Sequence, residues 1–194
     1  MKCAIIDLGS NTVRLSVYTI AEDKTFKQLF SEKETAGLAN YVENGTMRVE
    51  GMQKASSVIQ KFLNLLEQLS IKDIYIFATA SLRNVENAEQ AVRYIRERTG
   101  VEVDVVLGTE EAEYGFAGAL NNVDISDGVM FDIGGGSTEV VAFTDREPVS
   151  MQSFDCGCLN LANRYIHKIF PNKEELAQIK KAVEEKLEKL ECKR

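Results

Sequence analysis

Two segments of this chain set a carboxylate beside a glycine turn. In Asp7-Leu8-Gly9-Ser10-Asn11 and in Asp132-Ile133-Gly134-Gly135-Gly136-Ser137, an aspartate closes an apolar run and a flexible turn follows. Glycine lets the main chain bend tightly, approach an anion and present successive N–H groups as a nest. Gly9, Ser10, Asn11, Gly134, Gly135, Gly136 and Ser137 are therefore candidate phosphate-binding residues. The hydroxyls of Ser10 and Ser137 add donors, and Asp7 and Asp132 offer the hard oxygen that Mg²⁺ takes. Neither segment is a Walker A loop, because no lysine follows the glycines, and neither completes the dinucleotide fingerprint. One such loop alone is most simply a glycine-rich β-turn; two, each after an apolar strand, favour a phosphate site.

The elements around these turns read as mixed α/β. Cys3 to Ile6 is an apolar run suited to a buried strand, and Val13, Leu15 and Val17 alternate with polar neighbours as in a half-buried one. A segment from about Thr25 to Ser31 would complete a meander, and Asn44-Gly45 marks a turn. Met52, Ala55, Ile59, Phe62, Leu66 and Leu69 recur at steps of three and four, predicting a helix from Val49 to Leu69. A strand from Ile71 to Ala78, a helix around Ala88 to Ile95 closed by Gly100, and a strand from Val101 to Leu107 follow. Thr109 is expected to cap a helix to about Leu120, with Glu110 and Glu111 in its first turn. Strands are expected at Gly128 to Asp132, Glu139 to Phe143 and Pro148 to Phe154. A helix from Leu159 to Phe170 should stop at Pro171. Asn172 and Glu175 then resemble a capping box for a last helix striped by Leu176, Ile179, Val183, Leu187 and Leu190.

The strand and turn at residues 4–10 are echoed 125 residues later, at 129–135. Such an offset predicts two related lobes, 1–124 and 125–194, the second unfinished. The composition is that of a soluble globular protein, with 44% hydrophobic and 27% charged residues. Its net charge of -7 argues against holding nucleic acid by bulk electrostatics. No apolar stretch suits a signal peptide or a membrane span. Cys3, Cys156, Cys158 and Cys192 are too few for a disulfide scaffold, so a cytoplasmic chain with reduced thiols is expected.

Asp7-Leu8-Gly9-Ser10-Asn11, Ala78-Thr79-Ala80-Ser81-Leu82-Arg83, Gly108-Thr109-Glu110-Glu111-Ala112 and Asp132 to Glu139 resemble, in order and spacing, the exopolyphosphatase and guanosine pentaphosphate phosphohydrolase family. The resemblance implies an actin/ribonuclease H-like lobe with a mixed sheet and flanking helices, followed by an incomplete second lobe of the same type. Phosphate would bind in a cleft between the lobes. It implies that Glu111 is the catalytic base, although acidic residues in a first helical turn ordinarily just complement the helix dipole. It implies that Arg83 clamps phosphate oxygens, and that Asp132 and Glu139, with Asp7 in addition, hold Mg²⁺. The implied substrates are inorganic polyphosphate or guanosine pentaphosphate, with no nucleic-acid or membrane partner. Members of the family are usually longer, and the sheet edge of an unfinished lobe would favour self-association, as in a homodimer. Two other readings stand beside hydrolysis: a non-catalytic module that binds polyphosphate or an alarmone, and an ATP-binding protein of the same superfamily.

Other chemistry-bearing residues carry less. His167 reads as a surface or boundary residue in its helix. Cys156-Gly157-Cys158 has a metal-like spacing but lacks the further ligands of a closed zinc site, so packing is expected. Arg93, Arg96 and Arg98 form a charged helix face, most simply a solvated one.

Overall fold

The computed structural model describes residues 1–188. By its contacts the chain divides into two units, Met1–Val106 and the residues from Leu107 onward.

The first unit opens with the expected meander, β1 (Lys2–Leu8), β2 (Thr12–Ile20) and β3 (Phe26–Thr35). A short hairpin of β4 (Val42–Glu43) and β5 (Thr46–Met47) follows, turning at Asn44-Gly45 as expected. Next come α1 (Val49–Gln68), β6 (Asp73–Ala78), α2 (Ala80–Arg83), α3 (Ala88–Thr99) and β7 (Asp104–Val105). The sheet runs β3-β2-β1-β6-β7. Its first three strands are antiparallel, and β6 joins β1 in parallel. This is the actin/ribonuclease H-like arrangement that the sequence motifs imply.

Burial explains the order. Ala4, Ile6 and Leu8 share one face of β1 and are 0% exposed. They pack in one cluster with the α1 stripe Met52, Ala55, Ile59, Phe62 and Leu66 and with Ala91 and Ile95 of α3. Each fully buried aliphatic contributes about 1.5–3 kcal/mol, which is what holds α1 without a side-chain cap. Leu69, expected in the stripe, is instead the exposed C-cap. Gly100 ends α3 with φ 72°, as its position predicts. The strand expected from Val101 to Leu107 shrinks to two residues, Asp104 and Val105, paired with Phe77 and Ala78, and it stops there because β6 ends at Ala78.

The second unit holds α4 (Gly108–Leu120), β8 (Gly128–Ile133), β9 (Thr138–Thr144), β10 (Glu147–Phe154), α5 (Cys158–Tyr165) and α6 (Lys173–Leu187). Its sheet, β10-β9-β8, is again an antiparallel meander. Ala112 and Phe116 of α4 pack on Val141 and Phe143 of β9. That packing places the contact boundary before α4, whereas the sequence echo set the lobe boundary after residue 124. Val140 and Phe154 lie on the opposite face and meet Leu161 of α5 and Val183 of α6.

Three helix details differ from expectation. The N-cap of α4 is Leu107, not Thr109, and its amide is met by the Glu110 carboxylate at 2.6 Å. Helix α5 ends at Tyr165 rather than running to Pro171, because the Glu175 side chain draws the His167 amide away at 3.3 Å. Of the α6 stripe, Val183 packs inward while Leu176 and Leu187 are exposed; Leu190 lies outside the described residues. The Asn172–Glu175 capping box forms as predicted. Among the described residues no helix is long and apolar enough to cross a membrane.

Candidate functional site

The echo seen in the sequence extends to the hydrogen bonds. The Gly9 amide donates to Thr12 O at 3.1 Å, and the Gly134 amide donates to Ser137 O at 2.9 Å. These are the same two atoms, 125 residues apart. A Cβ at Gly9 would lie 2.8 Å from Thr12 O and one at Gly134 3.2 Å from Ser137 O. Glycine is therefore required by the turn at the first position and strongly favoured at the second.

The carbonyls of both loops are also held in one way. After β3, Ala36 and Gly37 donate to Asn11 O at 2.9 and 2.7 Å, and Ala39 donates to Ser10 O at 2.9 Å. After β10, Cys158 donates to Gly134 O at 2.9 Å, while Leu159 and Asn160 donate to Gly135 O at 2.9 and 3.2 Å. The Asn160 side-chain amide completes the set, reaching Gly136 O at 2.7 Å. Among the described residues there are no cis peptide bonds. In a trans peptide the N–H points opposite to the C=O of the same plane. With the carbonyls of Gly134, Gly135 and Gly136 turned to α5, the amides of Gly135, Gly136 and Ser137 must point away from it. Among the described residues no backbone carbonyl accepts from these three amides. The result is a row of fixed donors of the kind that receives phosphate oxygens.

In the first unit, β1 and β6 are parallel, so the Gly9–Asn11 loop and α2 both leave the C-terminal end of the sheet, where ligands of such folds bind. The Ser81 hydroxyl donates to Leu8 O and ties the α2 turn to the end of β1. Arg83, the last residue of α2, donates from Nη1 to Val106 O at 3.3 Å. Asp7 stands opposite Arg14 in the β1–β2 ladder. The second unit gathers the other carboxylates. The Glu110 carboxylate is engaged in the α4 cap. Asp132 and Glu139 face each other across β8 and β9, on the side covered by α4. The Asp132 carboxylate lies by Gly115, 3.5 Å from where a Cβ would stand, one helical turn along α4 from Glu111. Glu139 is 2% exposed and accepts from the Ser153 hydroxyl at 2.7 Å.

Among the described residues no three acidic, histidine or cysteine side chains converge as a ready-made metal cage. Asp132 is exposed beside the glycine loop and suits Mg²⁺, which commonly takes one or two carboxylates and completes its shell with water and phosphate. Glu139, deep in the sheet, is less open to such a role. Cys156 packs against Val140 and Phe154, and burial pushes its thiol up from the usual range. Arg96 pairs with Glu102 at 2.8 Å and Arg98 stacks on Tyr94, so the arginine face of α3 is locally satisfied and solvated.

The sequence motifs did not single out the residues that hold the second loop. A Cβ on Gly157 would overlap the Gly135 carbonyl and the Gly136 amide, so only glycine lets α5 meet the loop. Asn160 was likewise unremarked. The available signal was a glycine shortly after the third strand of each meander, Gly37 and Gly157.

Each unit carries an antiparallel meander whose first strand ends in an anchored glycine turn, the lobe plan of the actin/ribonuclease H fold. The chain belongs to the Ppx/GppA phosphatase family, whose model matches residues 16–193. It is 29% identical over 183 residues to exopolyphosphatase 1 of Mycobacterium tuberculosis, covering 93% of this chain and 53% of that protein. It thus spans about half the length of this relative. The crystal structure of an exopolyphosphatase from Cytophaga hutchinsonii superposes with a TM-score of 0.88 at 26% identity, over 96% of this chain and 61% of that one. The Aquifex aeolicus family member, at 24% identity, shares the fold with a TM-score of 0.76, over 99% and 63%.

Proposed function

We propose that the chain carries the phosphate-handling machinery of a Mg²⁺-dependent phosphoanhydride hydrolase. It releases terminal phosphate from inorganic polyphosphate or the 5′ phosphate from guanosine pentaphosphate. The observation that carries this reading is the amide row of Gly135, Gly136 and Ser137, turned away from α5 because α5 takes the carbonyls of Gly134, Gly135 and Gly136. Such preorganised donors hold the transferring phosphoryl group without reorganisation during reaction. In the first unit Gly9, Ser10, Asn11 and Arg83 supply a second set of phosphate contacts. Asp132 is the carboxylate that would hold Mg²⁺ in this reading, and the ion when bound neutralises charge on the phosphate oxygens. Glu139 and Asp7 are the further carboxylates that the family resemblance assigns to the metal.

Glu111 orients a water and takes its proton as the new P–O bond forms and the anhydride P–O bond breaks. The rest of the substrate, the shortened polyphosphate or guanosine tetraphosphate, departs with the electron pair of that bond. The kinship with exopolyphosphatases supports this assignment. Its test is phosphate release from long-chain polyphosphate and from guanosine pentaphosphate with Mg²⁺, comparing the chain with Glu111→Gln and with chelator. Release that disappears in both, at unchanged melting temperature, is the expected result. An active Glu111→Gln variant overturns the assignment of the base.

A further inference from the structure

We propose that Asn160, oriented by Asp155, is a positioning residue that sets the direction of the Ser137 amide in the phosphate loop. The two hydrogens of the Asn160 side-chain amide go to two different oxygens. One reaches Gly136 O at 2.7 Å and the other Asp155 Oδ1 at 2.9 Å. Asp155 and Asn160 lie on either side of Gly157, the residue that lets α5 touch the loop. The carboxylate, an acceptor only, fixes which end of the Asn160 amide faces the loop. The nitrogen must point inward, and Gly136 O receives its hydrogen. Gly136 O and the Ser137 N–H share one peptide plane, so anchoring the carbonyl aims the N–H.

Backbone donors from α5 already hold Gly134 O and Gly135 O. Gly136 O has the Asn160 side chain, which makes the last plane of the loop the one that a point substitution can release. A donor displaced by even a fraction of an ångström loses much of its value to a charged phosphate oxygen. The first loop shows the alternative solution, since Asn11 O, the equivalent carbonyl, is held by two backbone amides. The second loop thus depends on side-chain chemistry where the first does not.

This inference rests on the hydrolase reading for its kinetic readout only. Asn160→Asp keeps the shape of the side chain and replaces its donor with an acceptor, facing two acceptors. The expected result is a KM about tenfold higher, equivalent to about 1.4 kcal/mol, with kcat changed less than about threefold. Faster amide exchange over residues 134–137 should accompany it. The double variant Asp155→Asn/Asn160→Asp restores the bond between positions 155 and 160 but still gives Gly136 O no side-chain donor. It should recover part of the melting temperature and leave KM high. An unchanged KM and unchanged exchange in Asn160→Asp overturn the proposal, as does a double variant that recovers both. If the parent chain releases no phosphate from either substrate, the hydrolase reading fails by itself. Exchange over 134–137 in the two variants then decides the positioning role: accelerated in both supports it, unchanged in Asn160→Asp refutes it.

Discussion

Gly157→Ala tests the close approach of α5 to the phosphate loop. The new methyl would overlap the carbonyl carbon and oxygen of Gly135 and the amide nitrogen of Gly136. All three are backbone atoms, so none can rotate out of the way. Restoring a normal carbon separation of ~3.5 Å requires the two segments to part by about 1 Å. The bonds from Cys158 to Gly134 O and from Leu159 to Gly135 O, both 2.9 Å, and from Asn160 to Gly136 O, 2.7 Å, would then exceed hydrogen-bonding range. At about 1 kcal/mol net for each bond the loss is about 3 kcal/mol, the upper end of the ordinary cost of overpacking. In a chain of this length that lowers Tm by about 6–12 °C. Differential scanning calorimetry reads the shift, and hydrogen–deuterium exchange over residues 134–137 localises it. Gly118→Ala is the control, because a Cβ there meets nothing within 4 Å and alanine favours helix interiors; its Tm should hold or rise. A Gly157→Ala variant that melts with the parent and exchanges like it refutes the reasoning.

Ile6→Ala and Phe131→Ala make a second comparison, since they are equivalent positions in the two copies but 0% and 54% exposed. Urea unfolding should give a loss of about 2–5 kcal/mol for Ile6→Ala and less than about 1 kcal/mol for Phe131→Ala. The Glu175 carboxylate accepts from the Asn172 amide at 2.8 Å and the His167 amide at 3.3 Å, and the Asn172 bond above all holds its pKa below the usual value. A depressed pKa stabilises the fold fully above the unfolded-state value of about 4.3, and the stabilisation fades as pH falls through the folded-state pKa. The Tm gap between the parent and Glu175→Gln should therefore be constant above about pH 5.5 and close progressively below about pH 4. A gap independent of pH over that range counts against the role of this carboxylate in the cap.

The meander of each copy was legible because strand alternation and the glycine turns lie within a short stretch of sequence. The echo between Asp7 and Asp132 gave the relation between lobes, and the hydrogen bonds of Gly9 and Gly134 repeat it atom for atom. The helix stripe of α1 was equally plain. What the sequence concealed depends on contacts distant in the chain. The affiliation of α4 follows from Ala112 and Phe116 meeting Val141 and Phe143, which no local pattern reveals. The early end of α5 follows from Glu175 capturing an amide eight residues before it. Asn160 looked like an ordinary polar helix residue, and its target, Gly136 O, carries no side chain to advertise the pairing.

Ala4, Ile6 and Leu8 on β1 are 0% exposed, whereas their counterparts Val129, Phe131 and Ile133 on β8 are 48%, 54% and 67% exposed. In the described residues β9 is the strand neighbour of β8, while β1 lies between β2 and β6. The two aspartates thus end strands of very different local stability. Amide protons of β1 should exchange only through global unfolding and those of β8 through far cheaper local openings. The phosphate site proposed on β8 is therefore one whose order a bound ligand can itself complete, so saturation should close the local openings of the second unit in addition to the global stabilisation that slows exchange in both.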